Sequence, residues 1–270
     1  MVKEAISAHD AFSDTSYKIY AKGSYHNNTN VRRDSDVDIV VEMQECFYYD
    51  YVSSVPTPRF KPSPYSGGWT REAWRAEIVK ALENKFPGEV DGSGNIAINV
   101  SEKLGSRPSI DIVPSYQYRW YYDENLVRYE TGSAVWTKEI VRVVNWPHQQ
   151  YNNGVAKNNA TGGRYKYFAR ALKNAENTLV AAGTIDAMPS YFMECLVYNV
   201  DNQSLQTGDL EQGFKATLVD LYSRLNDEPD TRMLEPNDIK YLFHSSQKWT
   251  IPMAKQLVEQ TWKYLGYNDD

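Results

Sequence analysis

The run from Gly23 to Val41 constrains this chain more than any other stretch: a Gly-Ser turn at Gly23-Ser24, a polar loop, then Asp36-Val37-Asp38-Ile39-Val40-Val41, an Asp-x-Asp entering an apolar strand. Side chains alternate faces along a strand, so Asp36 and Asp38 project together while Val37, Ile39 and Val41 turn toward a core. Two carboxylates held close repel each other, and a divalent cation between them lets both stay ionised. Mg²⁺ suits such a pair because it takes one or two protein carboxylates and completes its shell with water and substrate phosphates. A third acid stands in Pro108-Ser109-Ile110-Asp111-Ile112-Val113-Pro114, where Ile110 and Ile112 point one way and Asp111 the other. Alone, an Asp-x-Asp or a single strand Asp reads as a charge facing water. A glycine and a hydroxyl on a turn, two acids on the next strand and a third acid on a later one together favour a catalytic metal centre.

Composition narrows what such a centre acts on. The 270 residues are 41% hydrophobic, enough for one sizeable core or two cooperating lobes. A net charge of −6 and a pI near 5.4 oppose a main task of gripping long nucleic acid, which needs a basic surface, and leave small nucleotides as partners. The two cysteines, Cys46 and Cys195, lie in apolar surroundings and read as reduced core thiols; the four histidines are scattered, so zinc is not expected. No signal peptide, transmembrane run, lipidation motif or internal repeat is visible, so the expected setting is cytoplasmic, without a membrane partner, and a monomer is the default.

Periodicity predicts a mixed α/β lobe over residues 1–145 and a helical lobe over 146–270, with substrate in the cleft between them. Tyr17 to Ala21 and Val37 to Met43 read as neighbouring strands. The stretch from Phe47 to Gly68, with Pro56, Pro58, Pro62 and Pro64, is too rich in proline for regular structure and reads as an ordered rim or lid. Arg71 to Phe86 reads as a helix capped by Thr70, with Trp74, Ile78, Leu82 and Phe86 at helical spacing. Strands follow over Asn95 to Val100, around Asp111, and within Trp120 to Ile140. Beyond Trp146, helices are expected over Gly163–Ala181, Pro189–Val200, Glu211–Leu225, Asn237–His244 and Pro252–Tyr264. Asn158 and Asn159 fall in the loop before the first of them, as polar filler or as amides facing a base edge.

These motifs resemble the nucleotidyltransferase superfamily, with its Gly-Ser, Asp-x-Asp and third-Asp pattern. The bacterial cGAS/DncV-like group, the CD-NTases, is similar over most of the chain, and its CdnE-type members most of all. The resemblance is carried by Gly23-Ser24-Tyr25 with Thr29, Asp34-Ser35-Asp36-Val37-Asp38, Ile110 to Pro114, Asn145-Trp146-Pro147, Asn153 to Asn158, Arg170-Ala171-Leu172-Lys173 and Pro189-Ser190-Tyr191. It implies an α+β fold, with a polymerase β-like mixed-sheet lobe followed by an α-helical lobe. It also implies metal-dependent joining of nucleoside triphosphates into a cyclic di- or oligonucleotide second messenger that acts on a separate effector protein in antiphage (CBASS) signalling. Mg²⁺, with Mn²⁺ as substitute, is the implied cofactor, held by Asp36, Asp38 and Asp111.

The nucleotide-binding candidates are Gly23, Ser24, Lys173, Ser190 and Tyr191. Gly23 lets the backbone approach phosphates, and Ser24 offers them a hydroxyl. Lys166, Arg170 and Lys173 recur on one helical face, the ordinary reading of which is a solvated basic face; by resemblance Lys173 contacts phosphate. Ser190 opens a helix whose free N–H groups attract anions, and Tyr191 reads either as a base-stacking ring or as an aromatic plug. A transferase that modifies a protein, a small molecule or an RNA end, and a catalytically silent nucleotide-binding module, are the alternatives. Choice of base, linkage and ring size are not legible in these residues.

Overall fold

A computed structural model describes residues 1–31, 36–55, 61–245 and 247–267. In chain order the elements are α1 (Val2–Ser7), β1 (Tyr17–Lys22), α2 (Gly23–Asn27), β2 (Val37–Tyr51), α3 (Arg71–Lys85), β3 (Val90–Asp91), β4 (Ile98–Val100), β5 (Ile110–Tyr121), β6 (Tyr129–Trp136) and β7 (Arg142–Asn145). Helices follow: α4 (Pro147–Ala160), α5 (Arg164–Ala181), α6 (Ser190–Tyr198), α7 (Asn202–Leu205), α8 (Leu210–Leu225), α9 (Pro229–Arg232) and α10 (Ile251–Tyr264). The chain divides into two compact units: Met1–Gly23 with Arg33–Pro147, and Ser24–Arg32 with His148–Asp270.

In the first unit the strands form one sheet in the order β1-β2-β5-β4-β3, and β6 and β7 continue it from the far half of β5. β2 and β5 run parallel, the chain between them passing through α3, β3 and β4, and the remaining pairs are antiparallel. Thr70 caps α3 by accepting from the Ala73 N–H at 3.1 Å, and Trp74, Ile78 and Leu82, one turn apart, bury the same side of the helix. That side meets Val41, Met43, Ile98, Val100 and Ile112 from the sheet and Val2, Ile6 and Phe12 from the N-terminal segment. Residues 47–51, expected within a loop, continue β2 instead; Pro56 and Pro58 lie outside the described residues.

In the second unit α5, α6, α8 and α10 share a core built from Phe168, Leu172, Phe192, Leu196, Leu218 and Leu257 among others. α8 starts with a capping box between Asp209 and Gln212, and Thr250 caps α10. Two expectations are corrected here. Asn158 and Asn159 sit in the last turn of α4 rather than in a loop: the Asn158 side-chain oxygen accepts from the Lys166 N–H at 3.1 Å. Residues 237–244 form no helix, because the Asn237 side-chain oxygen accepts the Ile239 and Lys240 N–H groups, both at 2.9 Å, closing a turn that competes with helical bonding. No helix among the described residues is long and apolar enough to cross a membrane.

Candidate active site

The first unit places four polar residues in one row across the sheet. Lys22 in β1 is paired with Asp38 in β2, Asp38 with Asp111 in β5, and Asp111 with Asn99 in β4. Directly opposed residues project from the same face, so an ammonium, two carboxylates and an amide stand side by side at one level. Their strand neighbours Ile98, Val100, Ile110 and Ile112 are buried in the core on the opposite face. Asp36, exposed, lies one residue before β2; Asp34 and Ser35 of the same motif lie outside the described residues.

Gly23 follows Lys22 and adopts φ +74°, a conformation that glycine enters freely. A Cβ there would collide with Oδ2 of Asp38, whose Cγ would lie only 2.9 Å away, so the Asp38 carboxylate rests against the backbone of the turn. On the other side of the row the Asn99 amide nitrogen donates to Oδ1 of Asp111 at 2.9 Å and to the Ser109 hydroxyl at 2.9 Å. Burial pushes the Asp38 carboxyl above its ordinary value; Lys22 opposes that rise, and the charges of Asp111 and Asp36 add to it. Burial likewise pulls the Lys22 ammonium down, while Asp38 and Asp111 hold it up.

The donor set fits a hard divalent cation. Among the described residues no three or more His, Cys, Asp or Glu side chains stand grouped to hold a metal ion as a cage, Asp36, Asp38 and Asp111 included. Mg²⁺ asks for no cage: one or two carboxylates, with water and phosphate oxygens for the remainder, satisfy it. Asp38 and Asp111, forced together and partly out of water, form such a pair, with Asp36 adjoining. Were Asp111 a metal ligand, Asn99→Ala would be expected to leave the fold intact and to lower kcat/KM by roughly ten- to a hundredfold, the usual effect of removing a side chain that orients such a ligand. Steady-state kinetics beside a thermal melt check this, and near-normal turnover would show that Asp111 needs no such support.

The second unit holds the remaining candidates. Ser24 is half-buried at the start of the segment Ser24–Arg32, and its carbonyl accepts the Thr29 N–H at 2.9 Å. The segment is fastened to α5 and α6 by buried charge. The Glu194 carboxylate accepts from the Thr29 hydroxyl at 2.6 Å, from the Lys173 ammonium at 2.6 Å and from the Asn27 amide at 3.5 Å. Lys173 also donates to the Thr29 carbonyl at 3.0 Å, and Arg170 to the Asn28 carbonyl at 2.7 Å. Lys173 is therefore not part of a solvated basic face: it is 1% exposed, because its position on α5 turns it toward an acid on α6. Ser190 stands exposed at the first position of α6. Tyr191 is half-buried against the helical core, with its hydroxyl 3.2 Å from Glu235 and its ring edge-on to Trp249.

Sequence reasoning did not single out Lys22, Asn99 or Glu194. Each left a trace: a lone polar residue inside Ile98-Asn99-Val100, a charge inside Phe192-Met193-Glu194-Cys195-Leu196-Val197, and a lysine directly before the Gly-Ser turn. Such residues are excluded from water only if a partner awaits them.

Comparison with known proteins gives concordant matches. Residues 152–266 match the model of the cGAS/DncV-like nucleotidyltransferase C-terminal helical domain. The cyclic dipyrimidine nucleotide synthase CdnE of Legionella pneumophila is 35% identical, the match covering 99% of this chain and 90% of the relative. The solved structure of Elizabethkingia meningoseptica CdnE cyclic dinucleotide synthase with GTP and Apcpp superposes with a TM-score of 0.80 at 28% identity, covering 98% of this chain and 90% of that one. The Rhodothermus marinus CdnE c-UMP-AMP synthase with Apcpp and Upnpp gives 0.81 at 27% identity, covering 100% and 90%.

Proposed function

The chain belongs to the cGAS/DncV-like nucleotidyltransferases of the CdnE type, and from that premise we propose that it joins nucleoside triphosphates into a cyclic di- or oligonucleotide, with release of pyrophosphate. The observation that carries this reading is the register that sets Asp38 beside Asp111, with Gly23 against Asp38. Asp36, Asp38 and Asp111 are the residues that would hold the metal. When bound, Mg²⁺, or Mn²⁺ in its place, supplies Lewis-acid stabilisation of charge on the α-phosphate and on the departing pyrophosphate.

The chain's own residues bind, orient and move a proton. Asn99 occupies one oxygen of Asp111 and so fixes the direction of the other, which draws the proton from the attacking ribose hydroxyl. The hydroxyl oxygen bonds to the α-phosphorus, the bond to pyrophosphate breaks, and a second attack from the joined nucleotide closes the ring. Ser24 and Ser190 present hydroxyls to phosphate oxygens, Ser190 from the N-terminus of α6. Tyr191 offers a ring to a base. Lys173 acts through Thr29, holding the Ser24 segment in place rather than reaching phosphate itself. The product is read as a second messenger for a separate effector protein in antiphage signalling.

Incubation of the purified protein with all four NTPs and Mg²⁺, followed by mass spectrometry with and without phosphatase, tests the reading. A phosphatase-resistant cyclic product with pyrophosphate is expected. Transfer of a single nucleotide to an added acceptor would favour a modifying transferase, and absence of pyrophosphate a silent binding module.

A further inference from the structure

β1 lies at the edge of the sheet, where a lysine ordinarily extends into water and guards the open strand. Lys18 of the same strand does so and is exposed. Lys22, four residues on and therefore on the same face, does not: it is drawn half out of solvent beside Asp38, at the level where Asp38 meets Asp111. The row thus begins with a positive charge next to two negative ones on consecutive strands. We propose that Lys22 is the resident counter-ion of the Asp38–Asp111 pair and that a divalent metal binds in competition with it, so that Lys22 sets the enzyme's metal affinity without contacting nucleotide.

This inference rests on the reading of Asp38 and Asp111 as metal ligands. The placement is geometric: Lys22 pairs directly with Asp38, and Asp38 with Asp111, on one face of three adjacent strands. A fixed positive charge in a partly desolvated row repels an incoming dication and relieves the carboxylates' mutual repulsion while the metal is away.

The test measures Mn²⁺ binding directly, by paramagnetic resonance of the free ion or by calorimetry, on the whole chain without nucleotide. Lys22→Met, which keeps the length of the side chain and loses its charge, is expected to bind Mn²⁺ at least about tenfold more tightly than wild type. It should melt lower without metal and gain more from added metal than wild type does. Lys22→Arg should bind Mn²⁺ like wild type. If Lys22→Met does not fold, Lys22→Gln takes its place in the same comparison. Unchanged or weaker Mn²⁺ binding in the neutral variants, with Asp38→Asn abolishing it, would overturn the counter-ion role and leave the metal centre standing. Undiminished Mn²⁺ binding in both Asp38→Asn and Asp111→Asn would remove the metal centre, and this inference with it.

Discussion

Asp38→Asn is expected to fold as wild type does and to lose product formation by roughly a hundred- to a thousandfold, the scale at which enzymes lose a preorganised charge at the reacting centre. The amide keeps the shape that rests on Gly23 and removes one negative charge from a row where two are crowded. The metal-free melting temperature should therefore hold or rise while activity collapses, a combination that simple unfolding cannot produce. The pH dependence has a definite sign. Folding raises the Asp38 pKa, so the folded protein takes up a proton at a pH where the unfolded chain has not. As pH falls through the raised value the metal-free fold gains stability, and the gain is complete below the unfolded carboxyl's pKa. On the proposed role of Asp38, metal binding should weaken over the same window, because the proton must leave first. Asp38→Asn should erase its own contribution to both trends, measured as melting temperature and Mn²⁺ affinity against pH. Near-normal synthesis by this variant would remove Asp38 from the chemistry.

Glu194→Ala is the second large effect, and it falls on stability. The substitution leaves the Lys173 ammonium buried, with the Thr29 carbonyl as its remaining partner, and strips the Thr29 hydroxyl and the Asn27 amide of their acceptor. Breaking a buried ion pair from one side costs about 3–5 kcal/mol. At about 2–4 °C per kcal/mol for a protein approaching this size, melting should fall by on the order of 10 °C. Lys173→Met combined with Glu194→Leu removes both charges and should recover much of the loss, since a buried pair replaced whole by apolar groups is often close to neutral. A double variant no more stable than Glu194→Ala alone would show that the hydrogen bonds to Thr29 and Asn27, rather than the uncompensated charge, carry the effect.

The acids were legible because a polar side chain inside an apolar strand announces itself: Asp38 before Ile39-Val40-Val41, and Asp111 between Ile110 and Ile112. The helices α3, α5, α8 and α10 were legible from their period of apolar residues. β2 beyond Met43 was not, for a geometric reason. Met43 pairs with Tyr116 and Phe47 with Gln117, so Gln44, Glu45 and Cys46 have no counterpart in β5. An insertion of odd length reverses which alternate residues face the core, and the strand's pattern changes phase midway. Tyr48, not Phe47, then packs with Tyr116 and Trp136. α4 escaped because Gly154 is its one buried residue among those described, leaving no apolar stripe to see. Lys22 and Asn99 join the acids only through strand register, and Glu194 meets Thr29 across 165 positions of sequence. Pairing of that kind is invisible to any local window.

The two units are not consecutive halves of the gene. The chain enters the helical unit for Ser24–Arg32, leaves it, and returns for good at His148. A fragment starting at His148 would carry Lys173 and Glu194 without Asn27 and Thr29, the groups that complete their buried network. Exchange of this unit between relatives by a single crossover would therefore separate residues that fold together. A working chimera requires two exchanged pieces, the short one beginning directly after Gly23, and recombination that moves the long piece alone should be selected against.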